Sequence, residues 1–380
     1  MKILAATGTR ADWGLLVPVL DALRDDSRFT LEIAVTGQHL VTGGTSLDAI
    51  TADGHRADHL IDMGLGNDDS PAALARAMGT ATSGVGAVLA SNRPDLMLLL
   101  GDRYETLAMA LAAVVARVPI AHMFGGDVTE GAIDDSIRHA ITKLAGLHFA
   151  SNAESAARIV QMGEDPNRVH NFGSTGIDRI LALKPMAYAN FFASVGLNPQ
   201  VKNFVITFHP ATLSDSSTAQ AQAVLDALDA FPDAGLIFTG SNADPGAREI
   251  DALVQRYVAS RDNAVFYASL GSLRYFSALT HCDLVLGNSS SGVLEAPSFH
   301  LPTVNIGDRQ ARRPRATSVI DVKPQSEAIA DAIRAGLSLD CSNAENPFGD
   351  GHSAGRIVDV LAALDTPDKL VRKLFLDLPT

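Results

Sequence analysis

Cysteine is nearly absent from this sequence. The two present, Cys282 and Cys341, cannot build a disulfide framework, and neither lies in a CxxC or Cys/His spacing that would suggest zinc. No metal site is expected. The three-glycine GxGxxG loop of dinucleotide-binding folds is missing, as is any GxxxxGK[ST] phosphate loop, so neither nicotinamide nor P-loop chemistry is supported and no cofactor is expected. The longest apolar run, residues 107–116, is about half the ~20 residues of a membrane-spanning helix and reads as a buried helix. Residues 1–10 offer one Lys and a short apolar stretch broken by Thr and Gly, too little for a secretory signal. Basic residues are the minority, 30 Lys and Arg against 43 Asp and Glu, and a net charge of −13 repels phosphate backbones. These absences describe a reduced, soluble, cytoplasmic protein with neither a nucleic acid nor a membrane as partner.

What is present is ordinary globular composition, with 47% hydrophobic and 19% charged residues, rather than the polar signature of disorder. At ~100–200 residues per domain, 380 residues should hold two domains. Strand-length apolar runs alternate with amphipathic stretches of helical length, the pattern of parallel sheets covered by helices on both faces. The fold class is therefore α/β. Strands are expected at 2–6, 30–36, 95–100, 120–123, 148–150 and 169–172, and a second sheet at 204–208, 235–239, 264–267, 283–286 and 302–306. Residues 184–203 mix Pro, Gly and Asn without a sustained period and mark the boundary. The expected domains are two Rossmann-like, doubly wound units, 1–185 and 186–365, with 366–380 a C-terminal segment packing back on the first. Such sheets bind ligands beyond the carboxyl ends of their strands, so a cleft between facing domains is the expected site.

The residues able to do chemistry follow strands. The first strand runs into Thr7-Gly8-Thr9-Arg10-Ala11-Asp12, feeding a helix from about Leu15, where Arg10 either grips a phosphate or pairs with Asp12. The strand ending at Leu100 continues as Gly101-Asp102-Arg103, and Asp102 either faces the crevice or caps the next helix. Phe124-Gly125-Gly126-Asp127 leaves another carboxylate at a strand end, beside glycines that permit close backbone approach. In the helix that follows, Ile137, Ile141 and Leu144 form the buried stripe, while Asp134 with Arg138, and Asp135 with His139, are i,i+4 neighbours. That pairing suits either a solvated face or the wall of a site. Closely placed carboxylates push one pKa upward, which provides one acid and one base at neutral pH.

In the second half, Phe208-His209-Pro210 closes a strand, with His209 either structural or facing the crevice. Gly287-Asn288-Ser289-Ser290-Ser291-Gly292 joins a strand to a helix start, where backbone N–H groups and hydroxyls can take a phosphate or simply cap the helix. Glu295 on the first turns either accepts bonds from sugar hydroxyls or stabilises the helix N-terminus. Further on, Arg309, Arg312, Arg313 and Arg315 are a basic spot that either holds an anion or balances local acids.

Taken together and in order, Gly101-Asp102-Arg103, Gly125-Gly126-Asp127, the run from Ile133 to Leu144, Gly287-Asn288-Ser289-Ser290 and Asn305-Ile306-Gly307-Asp308-Arg309-Gln310 resemble the hydrolysing UDP-N-acetylglucosamine 2-epimerases over nearly the whole chain. The resemblance implies a glycosyltransferase-B-like fold, with UDP held mainly by the second domain and the sugar facing acids of the first. It implies conversion of UDP-N-acetylglucosamine and water to N-acetylmannosamine and UDP, by elimination to 2-acetamidoglucal and hydration, supplying sialic acid and related sugars. Carried onto this sequence, Asp102, Asp127 and Asp134 are the acid/base candidates and Arg138 orients them or the leaving group. Arg10, His209, Asn288, Ser289, Ser290 and Gly292 would lie at UDP, with Glu295 at the ribose. A homo-oligomer, dimer or tetramer, is implied at family level.

Two departures matter. The family often has Glu after Gly-Gly, where Asp127 is one methylene shorter, and the Lys that non-hydrolysing relatives carry after the Gly-Thr-Arg turn is absent from Ala11-Asp12-Trp13-Gly14. Relatives of similar motif content act on a UDP-linked 2,4-diacetamido-trideoxy sugar or a GDP-linked sugar on the way to legionaminic acid, and the motifs do not separate these substrates. A non-hydrolysing epimerase, a glycosyltransferase of the same fold and a catalytically silent nucleotide-sugar sensor are the rival readings.

Overall fold

The computed structural model describes residues 1–377 apart from 42–45, 67, 69, 130–132, 211–216 and 242–245. The chain forms two compact units, Met1–Arg179 with Phe348–Thr380, and Ile180–Pro347. In the first, β1 (Lys2–Thr7), β2 (Thr30–Val35), β3 (His59–Leu60), β4 (Leu96–Leu100), β5 (Ile120–Met123), β6 (Leu147–Ala150) and β7 (Val169–Asn171) pair in parallel in the order β3-β2-β1-β4-β5-β6-β7. β4 reads as an unbroken apolar run because helices cover both of its faces. Leu96, Leu98 and Leu100 enter one core with Trp13, Leu16 and Leu20, while Met97 and Leu99 enter the other with Met109, Ala113 and Ile141. Each such side chain contributes ~1.5–3 kcal/mol by leaving water, which is what fixes the sheet's register. Pairing of Ala5 with Leu98, and of Leu98 with Ala121, aligns β1, β4 and β5 so that the loops at their carboxyl ends emerge side by side. The strand order reverses between β1 and β4, the switch point where doubly wound sheets open a crevice.

The second unit repeats the plan. β8 (Lys202–Thr207), β9 (Ala234–Thr239), β10 (Ala264–Tyr267), β11 (Leu284–Gly287), β12 (Thr303–Ile306) and β13 (Val319–Val322) pair in parallel in the order β10-β9-β8-β11-β12-β13. Here the reversal falls between β8 and β11, whose ends are level because Thr207 pairs with Gly287. Among the described residues no helix is long and apolar enough to cross a membrane.

Several expectations are corrected. β3 and β13 were not expected: both are edge strands, β3 has two residues, and Asp321 interrupts the apolar pattern of β13. The first helix spans Arg10–Arg24 and so starts before Leu15, because Thr9 and Asp12 form a reciprocal capping box. The expected boundary stretch contains a helix, Tyr188–Ser194, whose Phe191 and Phe192 are buried in the second unit's core. The first unit ends at Arg179 rather than 185, and the chain returns to it at Phe348 rather than 366. That return is held by hydrogen bonds: Ser353 N and Ala354 N donate to the Asp178 carboxylate at 3.1 and 2.6 Å, and Ser174 N to the Phe348 carbonyl at 2.6 Å. The run 107–116 lies mostly in a helix, Tyr104–Val115, buried on one face only, with Val115 85% exposed.

Candidate active site

Two βα turns of the first unit, those after β4 and β5, converge on one guanidinium. After β1, the Asp12 carboxylate accepts from Gly8 N (2.8 Å), Thr9 N (2.7 Å) and Trp13 N (3.1 Å), so it is occupied by the turn itself. Arg10 is not paired with it; exposed on the first turn of the helix, Arg10 makes no ion pair with a described residue. After β4, Gly101 adopts φ +85°, a left-handed conformation that glycine tolerates, and turns the chain so that Asp102 meets Arg138. Asp102 does not cap the next helix, which starts after Arg103. Beneath this turn Glu105 is wholly buried against the Gly8 turn, its carboxyl pushed up by desolvation although Arg103 Nε lies 3.2 Å away.

After β5 the two glycines have separate reasons. A Cβ on Gly126 (φ +80°) would sit 2.2 Å from the Ser155 carbonyl oxygen, so only glycine lets the chain pass this close to the helix Ala153–Gln161 that follows β6. The close pass brings the Asp127 carboxylate within reach of Ser151 Oγ (3.0 Å), Asn152 Nδ2 (3.2 Å) and the Ser155 hydroxyl, all of which donate to it. Ser151 and Asn152 lie in the turn after β6 and Ser155 on the helix Ala153–Gln161, and nothing in the sequence spacing around Asp127 points to them.

Arg138, 5% exposed, projects from the helix Ile133–Leu144 and binds four oxygens. It donates to the Asp102 carboxylate, the Asp127 carbonyl (2.8 Å), Thr129 Oγ1 (2.9 Å) and Asp135 Oδ1 (3.4 Å). A buried guanidinium needs such partners. The i,i+4 pairing of Asp134 with Arg138 is therefore corrected: the partner on the helix is Asp135, three residues before, which also lies 3.6 Å from His139 Nε2. Asp134 makes no hydrogen bond or ion pair with a described residue. The Asp102 carboxylate and the Asp127 carbonyl are brought together on Arg138, and Asp134, on the same helix turn, has no partner among the described residues.

In the second unit the turn after β11 is stitched to the turn after β8. Gly287 (φ +135°) has no room for a Cβ, which would lie 1.9 Å from the Thr207 carbonyl oxygen. At that approach Asn288 Oδ1 accepts from His209 N (2.7 Å) and Asn288 Nδ2 donates to His209 O (2.8 Å), so its side-chain amide is taken up by protein. The Asn288 carbonyl accepts in turn from Gln310 Nε2 (2.9 Å) and Arg309 (3.3 Å). Ser289 caps the short helix Ser290–Leu294, accepting from Ser291 N at 3.4 Å. Gly292 is a packing residue, since a Cβ there would meet Thr303 Cγ2 at 2.8 Å. Tyr275 donates to Ser291 (2.7 Å) and Ser291 to Glu295, whose carboxyl is pushed up by burial. Within the arginine cluster, Arg315 balances Asp321 at 3.0 Å. Among the described residues no group of three His, Cys, Asp or Glu side chains is placed to hold a metal ion.

The profile of the family described as UDP-N-acetylglucosamine 2-epimerase matches residues 21–362. The chain is similar to the UDP-N,N'-diacetylbacillosamine 2-epimerase (hydrolyzing) of Legionella pneumophila, 34% identical over 374 residues and covering 98% of each chain. It is similar as well to the GDP/UDP-N,N'-diacetylbacillosamine 2-epimerase (hydrolyzing) of Campylobacter jejuni, 35% identical over 323 residues and 84% of each. Among solved structures, the UDP-GlcNAc 2-epimerase of Neisseria meningitidis bound to UDP-GlcNAc superposes with a TM-score of 0.78 at 22% identity, covering 95% of this chain and 99% of that one. That likeness establishes the fold as two Rossmann-like domains of the glycosyltransferase-B type. With the profile spanning most of its length and relatives above 30% identity over nearly all of it, the chain belongs to the UDP-N-acetylglucosamine 2-epimerase family and is a nucleotide-sugar 2-epimerase.

Proposed function

We propose that this chain is a hydrolysing 2-epimerase of a UDP-linked 2-acetamido sugar. The observation that carries the reading is the Arg138 cluster, in which the Asp102 carboxylate after β4, the Asp127 carbonyl after β5 and the Asp135 carboxylate of the following helix are gathered around one guanidinium. Such a group suits a reaction that moves protons and expels a stabilised leaving group. The C2 proton beside an acetamido group is barely acidic, but departure of UDP makes C1 cationic and that proton removable. One carboxylate takes the C2 proton as the C1–O bond breaks and UDP departs, leaving the glycal. Water then adds, its hydroxyl to C1 and a proton to C2 from the other face, giving the free sugar with inverted C2. No hydride carrier enters that balance.

Asp102, Asp127 and Asp134 supply the acid and base, and Arg138 holds Asp102 in place. Arg10, His209, Ser289 and Ser290 hold the diphosphate and Glu295 the ribose, while Asn288 and Gly292 act by shaping the turn. The names of the Legionella and Campylobacter relatives favour the diacetamido sugar as first substrate, ahead of UDP-N-acetylglucosamine. The test is proton NMR in D₂O with each UDP-sugar in turn. Release of UDP with a free manno-configured sugar deuterated at C2 is expected. Equilibration to a second UDP-linked sugar would overturn hydrolysis, and retention of protium at C2 would overturn the elimination.

A further inference from the structure

A buried bridge that this scheme does not use joins the backbones carrying Asp102 and Arg138. His122, on β5 and wholly inaccessible to solvent, places Nε2 2.8 Å from the Gly101 carbonyl oxygen. Its Nδ1 lies 3.3 Å from Thr142 Oγ1, which in turn is 2.9 Å from the Arg138 carbonyl oxygen. Burial pulls the imidazole down to about 3, so at neutral pH the ring carries one N–H. The Gly101 carbonyl can only accept, which assigns that proton to Nε2; Nδ1 is then an acceptor, and the single Thr142 hydroxyl proton is shared between it and the Arg138 carbonyl, the shorter of the two contacts.

The consequence is geometric. The Gly101 C=O and the Asp102 N–H belong to one rigid peptide plane, so His122 fixes the peptide from which Asp102 projects. Thr142 ties the same imidazole to the helix turn from which Arg138 projects. A closed ring results: the side chains of Asp102 and Arg138 meet at the site, and their backbones are joined behind it through Thr142 and His122. A threonine hydroxyl bonded to the carbonyl four residues earlier is commonplace in helices. Here, however, the neighbouring turn is cut to fit it. A Cβ on Gly125 would lie 2.7 Å from Thr142 Oγ1 and 3.0 Å from His122 Nδ1, which explains the first glycine of Gly125-Gly126-Asp127.

We propose that His122 and Thr142 are positioning residues that hold Asp102 and Arg138 in alignment for the reaction. This rests on the epimerase reading above. The deciding variant is Thr142→Val, which keeps the volume and removes the donor, beside Thr142→Ser, which keeps the donor. With the turned-over UDP-sugar, T142V should lose about ten- to a hundredfold in kcat with KM held within about twofold, and T142S should stay within about twofold of wild type in both. Wild-type kcat in T142V, or equal losses in T142V and T142S, would overturn the proposal. His122→Phe tests the other arm, with its thermal midpoint recorded to separate misfolding from misalignment. A crystal structure of T142V is read independently of turnover: a displaced Asp102–Arg138 contact supports the inference, and an unchanged contact overturns it. If wild type turns over no nucleotide sugar, the proposed function fails, and the crystal structure alone decides the bridge.

Discussion

Asn288 stands where a phosphate ligand was expected, yet its side chain faces inward, and replacing it separates the two roles. In Asn288→Ala the His209 N–H and C=O both lose a partner, at 2.7 and 2.8 Å, in a place where neither Asn288 nor His209 is open to water. An unsatisfied buried backbone group costs ~1–3 kcal/mol, so the pair amounts to about 2–6 kcal/mol, a large share of the ~5–15 kcal/mol that holds a typical domain folded. At about 2 kcal/mol per molar of urea, the midpoint of the second unit should fall by about 1–3 M. The assay has a built-in control, because the single tryptophan, Trp13, is buried in the core of the first unit. Far-UV circular dichroism should therefore show an early transition that tryptophan fluorescence does not follow. UDP affinity, measured by calorimetry on the folded variant, should fall only modestly. A tenfold or larger loss of UDP affinity with an unchanged urea profile would refute the assignment and return Asn288 to direct contact with the ligand.

Gly126→Ala forces a Cβ to within 2.2 Å of the Ser155 carbonyl, so the Asp127 turn must move away from its Ser151 and Asn152 donors; turnover should fall at least about tenfold and the thermal midpoint with it. Asp102→Asn and Asp127→Asn should abolish UDP release while calorimetry still shows UDP bound, and near-normal rates in both would sink the assigned chemistry. Glu164 is held down at about 2 by His148, Lys143 and Lys373, so it stabilises the fold above the ordinary carboxylate value of 4.5 and loses that contribution as pH falls toward 2. Glu164→Gln should therefore lower the urea midpoint at pH 7 and flatten its decline between those two values; an unchanged slope would show that other carboxylates carry the acid sensitivity.

The α/β class and most of the central strands were legible because burial on both faces leaves unbroken apolar runs, as in Leu96–Leu100. Two of the four edge strands were not: β3 offers two residues and Asp321 interrupts β13, while β7 and β10 fell within expected runs. The domain limits were misplaced for a different reason. What binds Phe348 and Ser353 to the first unit is a set of hydrogen bonds with the Asp178 carboxylate, the Phe172 carbonyl and the Ser174 N–H, which leave no periodicity to read.

At the site, residue types were legible and partnerships were not. A helix wheel allows Arg138 to reach either i−4 or i−3, and only the placement of β4 and of the turn after β5 decides in favour of Asp135, because the guanidinium must also meet Asp102, Thr129 and the Asp127 carbonyl. The same limit explains Asn288. Its spacing from Gly287 and Ser289 resembles a phosphate-binding turn, but the parallel pairing of Thr207 with Gly287 sets β8 and β11 so close that the first polar side chain past the strand is captured by the neighbouring chain end. In the second unit, then, the first side chain past a central strand is spent on the adjacent turn, whereas Ser290, two residues farther along, makes no side-chain hydrogen bond with a described residue.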